Sequence, residues 1–111
     1  MLGLQVSKRE EDGVIRHVAM FKWKEGLAQE EKDAARDSLA ALKGVVPTII
    51  DYSVGFDIER NPNNWDMVLV GDFEDVPALE AYFAHPVMSA ASDLVASVTQ
   101  KEITARVQFE I

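Results

Sequence analysis

Three observations predict an α+β domain in the order β-α-β-β-α-β. Two-residue alternation of apolar and polar side chains recurs in separate stretches. Helical periodicity fills the segments after the first and third of these. The first and third stretches are apolar on both faces, whereas the second and fourth are apolar on one. That contrast separates central strands from edge strands, and it gives a four-stranded antiparallel sheet in the order 4-1-3-2, a ferredoxin-like arrangement.

The first strand is predicted over Val14–Lys24, which is rich in β-branched and aromatic residues, and Gly26 ends it. The helical period then runs from Ala28 to Lys43. Ala35, Leu39, Leu42 and Val46 form its buried stripe, and Glu30, Glu31 and Asp33 suit the positive end of the helix dipole. Gly44 and Pro47 stop it. Thr48–Ile58 alternates, with Ile50, Tyr52, Val54, Phe56 and Ile58 on one face. The polar turn Glu59–Trp65 leads to a third strand, Asp66–Glu74. Asp75 is placed to cap a second helix that carries Val76, Leu79, Tyr82 and Phe83 inward. Pro86 ends or kinks that helix, and Met88, Ala91, Leu94, Val95 and Val98 continue at helical spacing. The fourth strand alternates Ile103, Ala105, Val107, Phe109 and Ile111 with polar partners.

The chain has 111 residues, which fits one domain. Residues 14–111 carry the whole pattern. Residues 1–13 form an N-terminal extension, either a tail or an extra edge strand built on Leu2, Leu4 and Val6. The net charge of −8 disfavours binding to nucleic acid or to an anionic membrane. No apolar run approaches the ~20 residues of a membrane span, and the N-terminus lacks the apolar centre of a signal peptide. With no cysteine, there is no disulfide framework, thiolate metal site or cysteine nucleophile. A cytoplasmic protein is the expectation.

Two helices cover one face of a sheet. The first and third strands nevertheless place Val18, Met20, Val68 and Val70 on the other face. A monomer would leave several hundred Å² of apolar sheet in water, so we expect a homodimer formed face to face.

Arg16–Lys24 followed by Glu25-Gly26-Leu27, the segment Leu42–Pro47, and Asp75–Pro86 with its Ala81-Tyr82-x-x-His85-Pro86 core resemble the stress-responsive dimeric α/β-barrel (Dabb) family. The resemblance spans about Ile15 to Ile111. It implies a homodimer whose sheets form a dimeric α+β barrel. The family includes stress-induced proteins and a plant polyketide cyclase, and the wider superfamily includes cofactor-independent monooxygenases. The cyclase uses as its base a histidine three residues after the His-Pro histidine, where this chain has Met88. Ala28 also replaces the family's Ser or Thr at the start of the first helix.

Four residues are candidates for lining a pocket: His17, Tyr82, His85 and Met88. His17 is read either as a polar group of the pocket or as a buried histidine satisfied by a neighbour. Tyr82 and His85, three apart, would share a helix face, or else Tyr82 belongs to the core and His85 caps the helix end. The acids Asp57, Glu59, Asp66, Asp72, Glu74 and Asp75 lack ordered ligand spacing and read as a solvated rim, so neither a metal nor a cofactor is expected. Trp23 and Trp65 read as core or interface rather than as ligand-stacking residues. The expected function is a homodimer with an apolar small-molecule pocket. The alternative is a small cofactor-independent enzyme, cyclase-, isomerase- or monooxygenase-like, acting on a hydrophobic carbonyl or phenolic compound.

Overall fold

The computed structural model describes residues 13–111. The question of a tail or an extra strand at the N-terminus falls almost wholly outside them. The order is β1 (Ile15–Phe21), α1 (Gln29–Ala40), a 3-10 turn (Ala41–Gly44), β2 (Ile49–Phe56), β3 (Met67–Phe73), α2 (Val76–Ala84), α3 (Pro86–Val98), a second 3-10 turn (Lys101–Ile103) and β4 (Ala105–Glu110). All strand pairings are antiparallel, in the order β2-β3-β1-β4.

Among the described residues the sheet ends at β2 and β4, which do not pair with each other. It is therefore open, which corrects the expectation of closure into a barrel. Closure needs a ring of hydrogen-bonded neighbours, and here β3 and β1 separate the two outer strands.

The helices pack on one face only. On β1 the side chains facing them are Ile15, His17, Ala19 and Phe21, which are buried; Arg16, Val18 and Met20 point to the uncovered side. On β3, Met67, Leu69 and Phe73 join the core formed with Leu39, Leu42, Tyr82 and Val95. In α1, Ala28 supplies no capping oxygen, and Glu31 compensates in part by accepting from the Ala28 N–H (2.9 Å). Asp75 caps α2 as expected, accepting from the Ala78 N–H (2.9 Å).

Several apolar side chains lie elsewhere than their spacing suggested. A β-bulge between Ile49 and Asp51 turns Ile50 outward, and Ile58 lies beyond the end of β2 and is exposed. Val76 and Leu94 also face outward.

Register gives β4 its particular character. Gln108 lies opposite His17 and Arg106 opposite Ala19, so the polar stripe of β4 faces the helix side. Its apolar stripe, Ala105, Val107 and Phe109, therefore lies on the uncovered face beside Val18 and Met20. Val107 is 52% exposed and Phe109 45%. The bidentate ion pair of Arg16 with Asp72 (2.9 and 3.0 Å) occupies the same face.

Candidate functional site

Between the sheet and α2 and α3 lies a cavity of about 340 Å³. Its floor is apolar, with Ala19 and Phe21 from β1, Leu69 from β3, Leu39 from α1 and Val95 from α3. Polar groups gather on the α3–β4 side, where Ser92, Asp93, Thr99, Lys101, Thr104 and Arg106 line it. Strand alternation explains part of the split. Buried β1 and β3 send their inward residues to the floor and edge strand β4 sends Arg106 to the rim, while the other rim groups come from α3 and the segment joining it to β4.

His17 lines this cavity and is 3% exposed. The Gln108 side-chain amide lies 2.9 Å from its Nδ1. With the amide nitrogen toward the ring, Nδ1 accepts and the proton of the neutral imidazole sits on Nε2. Burial, and secondarily the charge of Arg106, pushes the His17 pKa down to about 4, so the ring is neutral at pH 7. The ring meets Phe83 edge-on (centroids 5.2 Å apart) and lies 6.1 Å from the Tyr82 ring.

Tyr82 is fully buried, and its hydroxyl lies 2.8 Å from that of Tyr52. Gly71 makes this contact possible. It sits between His17 and Tyr52 in the register, and a Cβ there would meet the Tyr52 ring at 3.0 Å. Burial raises the pKa of both tyrosines above the ordinary phenol value, so both remain protonated.

His17, Tyr82 and Met88 are thus brought together around one cavity. His85 does not line it. Helix α2 ends at Ala84 and Pro86 opens α3, which leaves His85 extended between them. Its Nδ1 accepts from the Val87 N–H (3.1 Å), so it caps the start of α3 rather than sharing a face with Tyr82. Phe83, expected in the core, borders the cavity and is partly exposed. Sequence reasoning missed Arg106, Gln108, Lys101, Thr99 and Tyr52 as parts of this region. The alternation of β4 held a signal for the first two, but it is usable only once the register with β1 is known.

The acids have separate structural duties. Asp72 binds Arg16, Asp66 accepts from the Trp23 N–H (2.8 Å), Asp57 accepts from the Glu59 N–H (2.8 Å) and Asp75 caps α2. Among the described residues, no three His, Asp or Glu side chains converge on a common point. Trp23 packs edge-on against Phe56, and the Trp65 indole N–H donates to the Ile103 carbonyl (3.1 Å). Among the described residues no helix is long and apolar enough to cross a membrane.

The stress-responsive A/B barrel domain family matches residues 15–110, nearly all of the sequence. The chain belongs to that family. An uncharacterised protein of Streptomyces coelicolor is 27% identical over 79 residues, covering 69% of this chain and 81% of the relative. A dimeric ferredoxin-like protein of unknown function from Thermobifida fusca superposes with a TM-score of 0.80 at 26% identity, over 88% of this chain and 91% of its own. A hydroxynitrile lyase from Passiflora edulis shares the fold, with a TM-score of 0.79 at 15% identity, over 90% of this chain and 94% of its own. At that identity the likeness is one of fold.

Proposed function

We propose that the chain works as a homodimer joined through the uncovered sheet face, and that each subunit binds a small, largely apolar molecule in the helix-side cavity without turning it over. The cavity itself carries this reading. It has an apolar floor, three of the expected residues (His17, Tyr82 and Met88) and a volume suited to a ring system or a medium alkyl chain. The exposed stripe of Val107 and Phe109 beside Met20 supports the dimer, as does the dimeric Thermobifida relative. The cysteine-free composition fits a reducing cytoplasm.

Binding is favoured over turnover because the cavity lacks a group suited to general base catalysis at neutral pH. Met88 has a thioether where the cyclase has its base. His17 holds its proton too weakly to serve as an effective base at pH 7, and its Nδ1 is engaged by Gln108. Tyr82 is held as a phenol. One observation favours the cofactor-independent enzyme acting on a carbonyl or phenolic compound: the Gln108 amide, 2.9 Å from Nδ1, holds the orientation of the His17 ring, as a positioned acid–base group requires.

Calorimetric titration with acetylnaphthalene tests the reading. Wild-type protein should bind it, and Ser92→Trp, which fills the rim from an exposed helix position, should abolish binding while leaving the melting temperature unchanged. Loss of neither affinity nor capacity in that variant would place the ligand elsewhere. Incubation with linear polyketide substrates should give negligible cyclised product. Efficient turnover would put the enzyme reading first.

A further inference from the structure

The rim of the cavity has a charge balance opposite to that of the chain. The sequence holds 19 Asp and Glu against 11 Lys and Arg, yet the cavity is lined by two cations, Lys101 and Arg106, and one carboxylate, Asp93. No carboxylate among the described residues lies within ion-pair distance of either cation; the ion pairs there are made by Arg16, Arg36 and Lys43. The other rim groups are neutral: the Thr104 hydroxyl, the Thr99 hydroxyl, which donates to the Val95 carbonyl (2.8 Å), and the His17 ring with Nδ1 already occupied. Arg106 and Gln108 stand two positions apart on the same face of β4, about 6.7 Å from each other. Arg106 therefore stands on the strand directly beside the residue that holds His17.

We infer that the cavity's ligand is an amphipathic acid, with an apolar ring or chain against Leu39, Leu69 and Val95 and a carboxylate held at the mouth by Arg106, assisted by Lys101. This rests on the ligand-binding reading above and narrows it. A guanidinium offers a planar pair of donors that matches a carboxylate, and the exposed Arg106 and Lys101 can both be reached by an anion at the mouth. The acid's tail would displace water from the floor, while Asp93 on α3 would repel an anion that entered from that side. An apolar neutral ligand would gain the floor contacts and nothing from the rim.

The test compares naphthoate with acetylnaphthalene, which has nearly the same shape and no charge. Titration into wild-type protein at pH 7 and low salt should show naphthoate binding about tenfold tighter or more, a factor typical of one well-placed charge-assisted contact. Arg106→Gln should erase most of this preference, weakening naphthoate far more than acetylnaphthalene. Lys101→Gln should reduce the preference less, and Asp93→Asn should increase it. Equal affinity for the two probes in the wild type, or a preference that survives Arg106→Gln, would overturn the inference while the ligand-binding reading stands. Failure of both probes to bind would overturn both.

Discussion

The two faces of the sheet are built from the same strands and differ in what they lack. The helix side is closed by α1, α2 and α3 everywhere except near β4, and there the strand presents polar side chains to a cavity. The uncovered side has no protein over it among the described residues, yet β4 presents Val107 and Phe109 to it. A monomer would gain from the reverse arrangement, with polar β4 residues in water and apolar ones under the helices. The inversion leaves an apolar stripe on one face and a polar-rimmed cavity on the other, the arrangement that the proposed homodimer and the proposed small-molecule ligand would each require.

The largest expected effect breaks the uncovered face. Val107→Asp places a carboxylate in the proposed interface twice, because a two-fold contact repeats every residue. Burying such a charge without a partner costs several kcal/mol, so the dimer should weaken by about 100-fold or more. Light scattering after size exclusion should then give a species near the 12.3 kDa of one chain, with an unchanged far-ultraviolet spectrum. A variant that remains at twice that mass would remove Val107 from the interface.

A smaller effect belongs to the helix side. Tyr82→Phe leaves the Tyr52 hydroxyl buried without its partner and should cost roughly 1–3 kcal/mol in urea denaturation. Replacing both tyrosines with phenylalanine should recover part of the loss, because no orphaned hydroxyl remains. A double variant less stable than Tyr82→Phe would show that the pair contributes more than mutual satisfaction.

The effect confined to acid, and absent at neutral pH, is a pH dependence. The folded His17 pKa, about 4, lies below its ordinary 6.5. Between those values the unfolded chain binds a proton that the folded chain does not. Stability therefore falls as pH drops from about 6.5 to 4, with a contribution of at most ~1.4 kcal/mol per pH unit, and is unaffected above about 7.5. Melting temperatures of wild type and His17→Gln should differ increasingly in the variant's favour over that window. Parallel curves would mean that the ring is not held neutral by burial.

Much of this comparison was legible in the sequence. The two-faced apolarity of Val18, Met20, Val68 and Val70 needs only alternation to be seen, and it gave the sheet order as well as the uncovered face. The direction of β4's apolar stripe was not legible. It depends on pairing with β1, and Gln108 meets His17 across 91 positions of chain. The same long-range pairing hid Arg106. His85 was misplaced for a local reason: the proline after it excludes helical backbone, so the spacing of three from Tyr82 does not place the two on one helix face. The bulge at Ile49/Asp51 broke the alternation that put Ile50 inside. The expectation of a closed barrel came from family resemblance, and the strand order replaces it with an open sheet.

The most direct test of a division of labour between the two faces is a residue-resolved map of ligand binding on the intact protein. Naphthoate titrated into isotope-labelled chain should shift the amide resonances of His17, Thr99, Thr104 and Arg106, and leave those of Val68, Val70 and Phe109 in place. Shifts centred on Val68, Val70 and Phe109 would contradict the account, because they would make the uncovered face the ligand site and leave the helix-side cavity without a role.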